Sequence, residues 1–119
     1  MMLVTGGVAS GKRTFVRSLG FAEEDFSRVP GNGVPVLVDA QELARGQVTP
    51  GLLDALARKD VVIITEVGSG VVPLDAGERA WRERAGRLAC QLAARAACVV
   101  RMVCGVPQVL KGDPQEALR

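Results

Sequence analysis

Short apolar runs alternate with segments of helical pattern along this chain. Residues 1–5, 34–38 and 61–65 are continuous runs of mostly aliphatic side chains, and residues 99–104 form a fourth run. Such runs, bounded by glycine, proline or charged residues, are typical of buried parallel strands. The second and third runs stop at the carboxylates Asp39 and Glu66, which we therefore place at the carboxyl ends of their strands.

The segments between these runs predict helices. Residues 12–19 follow a glycine-rich stretch, and residues 50–58 follow Thr49, a side chain suited to cap a helix N-terminus. Over residues 75–97 apolar side chains recur every three or four positions, which is the spacing of one helical stripe. The stripe consists of Trp81, Ala85, Leu88, Leu92 and Ala96.

This order of elements predicts an α/β fold with a mostly parallel sheet and helices on both faces, formed by a single domain, residues 1–119. We expect the strand that ends at Asp39 to lie beside the first strand. Residues 21–33 are predicted to be an irregular connection and residues 68–70 a glycine-rich loop, while residues 105–111 should lead from the last strand into a polar tail.

Composition and charge narrow the classes of function. Hydrophobic residues make up 48% of the chain and charged residues 24%, which is typical of a soluble globular protein. A net charge of +2, three phenylalanines and one tryptophan give little basis for binding nucleic acid. No apolar run is long enough to span a bilayer and no charged leader precedes the first run, so we expect a cytoplasmic protein.

The three cysteines Cys90, Cys98 and Cys104 match no zinc-binding spacing. No histidine is present to act as the base of a nucleophilic thiol. We therefore expect free, buried thiols.

The stretch between the first strand and the first helix matches the pattern Gly-x-x-x-x-Gly-Lys of a P-loop. Glycines let the backbone form a nest for phosphate oxygens, and the lysine reaches the terminal phosphates. The sequence thus predicts a P-loop three-layer fold that binds ATP or GTP, although a glycine-rich turn with a surface lysine has the same pattern. The predicted nucleotide-binding residues are Gly6, Gly7, Val8, Ala9, Ser10, Gly11, Lys12, Arg13 and Thr14.

The motif departs from the full P-loop pattern at Arg13, where a serine or threonine normally ligates Mg²⁺. An arginine is not a metal ligand, and Thr14 is rotated by about 100° around the helix, so it should not substitute. We expect weak dependence on Mg²⁺. Arg13 reaching a phosphate directly is an alternative use of the side chain.

Three side chains are candidates for catalysis: Lys12, Asp39 and Glu66. Lys12 would stabilise charge on a transferring phosphoryl group, and Asp39 or Glu66 would orient a metal or a substrate hydroxyl, with Asp39 the candidate metal ligand. Asp39 at a strand end is equally typical of a helix N-cap. Glu66 is equally explained as a loop carboxylate.

Four segments resemble a known family, the bifunctional adenosylcobinamide kinase / adenosylcobinamide-phosphate guanylyltransferases. They are LVTGG (residues 3–7) with SGK (10–12), TEVGSGVVP (65–73), WRERAGRL (81–88) with LAA (92–94), and VCGVP (103–107) with LK (110–111). The resemblance implies a P-loop protein of cobalamin biosynthesis, often trimeric, that phosphorylates a cobinamide alcohol with ATP or GTP and then transfers GMP to that phosphate. The chain departs from the family at Arg13, and its segment between the first helix and Asp39 is shorter.

Two functions compete on these observations. The first is a nucleotide-dependent kinase acting on a cobinamide-like alcohol, which the glycine framework and Lys12 favour. The second is a non-catalytic nucleotide-binding or assembly subunit, which Arg13 and the shortened segment between the first helix and Asp39 favour.

The resemblance implies that the transfer of GMP, the second reaction, passes through GMP bound covalently to a histidine. This chain contains no histidine. Lysine amines are mostly protonated and thiols mostly uncharged near pH 7, so neither replaces imidazole without special activation. We predict that no covalent guanylylate forms on incubation with radiolabelled GTP and Mg²⁺, as judged by intact mass after denaturation. An adduct of one GMP per chain would contradict this prediction.

Overall fold

The computed structural model describes residues 1–67 and 75–118. The strands among these residues are β1 Met2–Gly6, β2 Phe26–Ser27, β3 Val36–Leu37, β4 Val61–Thr65, β5 Cys98–Val103 and β6 Val106–Lys111. The α-helices are α1 Lys12–Ser18, α2 Pro50–Ala57, α3 Ala76–Arg95 and α4 Pro114–Ala117. Two 3₁₀ helices span Glu23–Asp25 and Ala40–Arg45.

The described strands form one six-stranded sheet in the order β2-β3-β4-β1-β5-β6. All neighbouring pairs are parallel except β5 and β6, which form an antiparallel hairpin at one edge. The central strand β1 pairs with β4 on one side and with β5 on the other, so Gly6 lies opposite both Thr65 and Met102. The predicted α/β fold with a mostly parallel sheet is confirmed.

Alternate residues of the strands supply two apolar layers, one on each face of the sheet. Leu3, Val62 and Ile64 lie on the face that α3 covers. Met2 and Val4 lie on the opposite face with Val16 of α1. Because both faces of a parallel sheet are buried, its strands are apolar throughout, which is why short unbroken runs predicted them well.

The apolar stripe of α3 packs as predicted. Its five members are all buried, and they join the core on the side of Leu3. Asp75 caps the helix, because its Oδ1 accepts hydrogen bonds from the backbone N–H groups of Gly77 and Glu78 at 2.6 and 3.1 Å. No helix among the described residues is long and apolar enough to cross a membrane.

Helix α2 also begins where the sequence predicts. The hydroxyl of Thr49 accepts a hydrogen bond from the N–H of Leu52 at 3.1 Å, and Pro50 occupies the first helical position. Proline is favoured there because that position needs no intrahelical N–H donor.

Several expectations about the order of strands and the connections were wrong. The strand that precedes Asp39 is not adjacent to β1, because β4 lies between them. The segment 21–33 contains a 3₁₀ helix and the edge strand β2, which is two residues long and too short to show a pattern. Residues 106–111 form a strand, β6. The predicted glycine-rich loop at 68–70 lies outside the described residues.

The three thiols differ in burial. Cys98 is buried, as expected, and burial raises the pKa of its thiol. Cys90 and Cys104 are exposed, so the expectation of burial was wrong for these two. Cys90 lies outside the stripe on α3, and Cys104 lies in the turn between β5 and β6.

Leu88→Ala tests the packing of α3, because Leu88 is fully buried among the core residues. We expect the free energy of unfolding to fall by about 2–5 kcal/mol in urea denaturation, since a cavity replaces the side chain. Leu110→Ala is the matched control, as Leu110 is 55% exposed on β6 and should change stability by less than about 0.5 kcal/mol. Equal losses in the two variants would contradict the assigned core.

Candidate functional site

The glycine-rich stretch lies where β1 ends and α1 begins, at the carboxyl edge of the sheet. It borders a cavity of about 540 Å³. The walls of the cavity are Val8, Ala9, Ser10, Gly11, Lys12, Arg13, Thr14, Asp39, Gln41, Glu42, Ile63, Thr65, Val67 and Trp81. Seven of the nine residues predicted to bind nucleotide line this cavity, while Gly6 and Gly7 form the turn that leads into it.

Glycine is required at two positions of this loop. Gly6 has φ +154°, and a Cβ atom there would lie 2.5 Å from Ser10 Oγ and 2.7 Å from the carbonyl oxygen of Met102. Gly11 has φ +91°, and its Cβ would lie 3.2 Å from the Cα atom of Gly105. The loop is thus folded closely against β5 and against the turn that follows it.

The turn between β5 and β6 supports the loop from behind. Gly105 donates its backbone N–H to the carbonyl oxygen of Ser10 at 3.0 Å. Cys104 and Gly105 both have positive φ, which is the backbone of the tight turns that join antiparallel strands. Sequence reasoning missed this contact, although Cys104-Gly105 between two apolar runs is a turn signal.

Positive φ angles of non-glycine residues cluster around the cavity. Among the described residues these are Ala9, Asp39 and Cys104. Ala9 and Asp39 line the cavity, and Cys104 precedes the glycine that bonds to Ser10. Backbone conformations of this kind are held in place by their surroundings and concentrate at functional sites.

Lys12 lies inside the loop rather than in solvent. Its ammonium donates hydrogen bonds to the carbonyl oxygen of Gly7 at 2.5 Å and to Ser10 Oγ at 3.5 Å. Burial lowers the pKa of Lys12, an effect that the negative charges of Asp39 and Glu66 oppose and that Arg13 reinforces. The simple surface lysine that the pattern also allows is therefore not what this structure contains.

Asp39 lies across the cavity and is held by two arginines. Its Oδ2 atom accepts hydrogen bonds from Arg13 Nη2 at 3.3 Å and from Arg28 Nε at 2.8 Å. Asp39 occupies the N-cap position of the 3₁₀ helix Ala40–Arg45, but its side chain makes no capping hydrogen bond. Arg28 was missed because it lies in the segment predicted to be irregular, where no pattern marks a contact.

Glu66 lies at the end of β4 but does not line this cavity. Its two carboxylate oxygens bind Arg101 of β5, at 2.8 Å from Nε and 3.2 Å from Nη2. The same pairing raises the pKa of Arg101. Glu66 borders a second, smaller cavity of about 250 Å³ that α3 closes with Ala85, Gly86 and Ala89.

The wall opposite the loop is the 3₁₀ helix Ala40–Arg45 held against α3. Trp81 donates its indole N–H to the carbonyl oxygen of Gln41 at 2.8 Å, and Gln41 Oε1 accepts the N–H of Thr65 at 3.0 Å. Arg45 stacks on the Trp81 ring at 3.8 Å from its centre. Gln41 and Trp81 thus fix this wall to both β4 and α3, a role that the stripe pattern of Trp81 did not reveal.

The residues around the cavity do not fit a Mg²⁺ ion. Arg13 stands where a hydroxyl ligand is needed, and the carboxylate of Asp39 is bound by two guanidinium groups. Residues 1–67 and 75–118 include no cluster of three or more histidine, cysteine, aspartate or glutamate side chains that could hold a metal. The cavity contains cations where a magnesium site has oxygen ligands.

One family model matches the chain, over residues 38–110, and its description is cobinamide kinase / cobinamide phosphate guanyltransferase. The matched span includes Asp39, Gln41, Glu66 and Trp81 and begins after the glycine-rich loop. A search of curated proteins found no match.

Neighbouring glycines offer a test of the loop geometry. Gly6→Ala should lower the free energy of unfolding by about 1–3 kcal/mol or more, because the new methyl group meets Ser10 and Met102 in a strained backbone. Gly7→Ala should leave stability nearly unchanged, since nothing lies within 4 Å of its Cβ position. Both are measured by chemical denaturation. A Gly6→Ala protein as stable as the Gly7→Ala protein would show that the loop is not packed as described.

Proposed function

The chain belongs to the cobinamide kinase / cobinamide phosphate guanyltransferase family, and on that premise we propose that it binds a nucleoside triphosphate and phosphorylates a cobinamide-like alcohol. The family itself places the chain among transferases of cobinamide metabolism and hence of cobalamin biosynthesis. The proposal adds the binding site, the nucleotide and the kinase reaction.

The observation that carries the proposal is the cavity bordered by the glycine-rich loop and Lys12. A strand, a glycine-rich turn and a helix in this order form a nest of backbone N–H groups that binds phosphate. The volume of about 540 Å³ lies within the range of small-molecule sites. Residues 8–14 would hold the phosphates, with Gly6 and Gly7 shaping the turn.

The kinase step needs charge stabilisation and a proton acceptor. The hydroxyl oxygen of the acceptor would attack the terminal phosphorus, the bond to the bridging oxygen would break, and a nucleoside diphosphate would leave. Lys12 would stabilise the negative charge that develops on the phosphoryl oxygens. Its ammonium already lies in the loop, bonded to Gly7 and Ser10, and would exchange those neutral acceptors for phosphate oxygens.

The two candidate carboxylates receive different roles. Asp39 lines the cavity, which supports a place near the acceptor hydroxyl, whose proton it would take. Glu66 is bound by Arg101 and lies outside the cavity, which supports a positioning role at the end of β4. No step is assigned to a metal, because the residues present do not fit one.

A non-catalytic nucleotide-binding or assembly subunit is the second candidate. One observation favours it: the carboxylate oxygen Oδ2 of Asp39 already accepts hydrogen bonds from Arg13 and Arg28. Assembly into a homo-oligomer is supported by β6, an edge strand whose six residues are all exposed. The two functions differ in outcome, since the subunit would bind nucleotide without transferring phosphate.

We predict that Lys12→Ala weakens the binding of ATP and GTP by about tenfold or more, because a charge-assisted contact to phosphate is lost. Trp81 is the single tryptophan of the chain and lines the cavity, so its fluorescence reports binding, and calorimetry confirms it. Lys111→Ala is the control of equal charge change, because Lys111 is exposed and bonds to carbonyl oxygens of α3. Unchanged affinity in Lys12→Ala would contradict the P-loop assignment.

Transfer of labelled terminal phosphate from ATP or GTP to cobinamide then separates the enzyme from the non-catalytic subunit. Asp39→Asn should abolish transfer without abolishing nucleotide binding. Binding with no transfer by the natural chain would favour the second candidate.

A further inference from the structure

We propose that this site binds nucleoside triphosphates without a divalent cation, with the guanidinium groups of Arg13 and Arg28 in place of the metal. The inference rests on the proposed function, since it concerns the same phosphates. It starts from one atom, Oδ2 of Asp39, which two arginines from different segments share.

The two arginines belong to different elements of the chain. Arg13 belongs to the first turn of α1, directly after the P-loop lysine. Arg28 follows the edge strand β2. Because Asp39 has a left-handed backbone and makes no capping bond, its carboxylate is directed to these two partners rather than to the helix it begins. Asp39 therefore joins Arg13, which lines the cavity, to Arg28, which lies next to Asp39 but does not itself line the cavity.

The charges around the loop match those of an ordinary magnesium site. Lys12, Arg13 and Asp39 line the cavity, and Arg28 bonds to Asp39 outside the lining. These three cations and one anion leave two net positive charges in the group. One lysine, one Mg²⁺ ion and one carboxylate would leave the same two. The other nearby carboxylates, Glu42 and Glu66, are each paired with a further arginine.

The arginines also keep donors for a ligand. A guanidinium group has five N–H donors in a planar fork that suits phosphate oxygens, and Asp39 accepts one hydrogen bond from each side chain. The Arg13 side chain is 44% exposed and the Arg28 side chain 71% exposed, so both are accessible to a phosphate. A Mg²⁺ ion at Asp39 would instead have to displace two cations and remain beside them, which like-charge repulsion opposes.

The first test compares ATP and GTP binding in excess EDTA and in excess Mg²⁺, followed by Trp81 fluorescence. We expect the affinity in EDTA to equal or exceed the affinity in Mg²⁺. Arg13→Ser and Arg28→Ser should each weaken binding in EDTA by about tenfold, because a charge-assisted contact is lost. Arg13→Ser should also gain dependence on Mg²⁺, since it restores the hydroxyl ligand.

The control is another arginine–aspartate ion pair, away from the cavity. Arg95 binds Asp54 at 2.7 Å on the exposed surface between α3 and α2, and neither residue lines the cavity. Arg95→Ser should leave nucleotide binding in EDTA unchanged. Thermal unfolding of all variants should give transitions close to that of the natural chain, because the substituted side chains are exposed.

Asp39→Asn distinguishes a carboxylate that pairs with the arginines from one that binds a metal, because the two roles predict opposite changes in triphosphate affinity. Asparagine tolerates the left-handed backbone of Asp39, so the substitution removes charge with little strain. If Asp39 only pairs with the arginines and holds no metal, triphosphate affinity in EDTA should rise by about threefold, because an anion that competes with phosphate for the arginines is gone. Asp54→Asn should show no such rise.

The outcomes are distinct. Binding that requires Mg²⁺, a loss of Mg²⁺-dependent affinity in Asp39→Asn, or full affinity of both arginine variants in EDTA would each overturn the metal-free proposal and leave the proposed function standing. Binding in neither condition would overturn both.

Discussion

The central place of β1, hydrogen-bonded to β4 on one side and to β5 on the other, is the constraint on which the site depends. Parallel pairing on both sides brings the carboxyl ends of three strands to one edge, where ligands of open α/β sheets bind. Gly6 ends β1 with no room for a side chain, because Ser10 and Met102 occupy the space. The chain must therefore turn sharply at this point, and α1 begins only after the turn is complete.

The hairpin of β5 and β6 ties the glycine-rich loop to the edge of the sheet. Gly105 bonds to Ser10 and lies against Gly11, so the loop is supported by a segment almost a hundred residues away in sequence. The other side of the cavity is supported in the same way, because Gln41 and Trp81 fix the 3₁₀ helix Ala40–Arg45 to the sheet and to α3. A pre-formed cavity between two fixed walls loses little entropy on binding a ligand.

Arginines pair with the carboxylates at this edge of the sheet. Asp39 is bound by Arg13 and Arg28, and Glu66 is bound by Arg101. Exposed pairs of this kind contribute little to stability, but they decide which charges a ligand meets. In the proposed complex a polyphosphate would meet Lys12 and the guanidinium groups of Arg13 and Arg28, whereas a metal ion would meet a carboxylate whose oxygen is already bound. This arrangement connects the unusual residue after Lys12 to the chemistry that the family name implies.

The sequence alone determined the features that depend on local pattern. Unbroken apolar runs predicted β1, β4 and β5, because strands buried on both faces carry no polar alternation. The stripe of α3, the cap at Thr49 and the position of the glycine-rich loop followed from spacing alone. The family resemblance likewise depended on short runs of residues, and the family match over residues 38–110 confirmed it.

Only the tertiary structure decided which distant residues meet. It placed β4 rather than β3 beside β1, paired Asp39 with Arg28, separated Glu66 from the cavity, and set Gly105 behind the loop. Strand order and ion pairs between loops depend on contacts between residues far apart in sequence, and neither leaves a periodic pattern. The identity of each charged residue was therefore readable from the chain, but its partner, and with it the charge that a ligand meets, was set by the folding of the sheet.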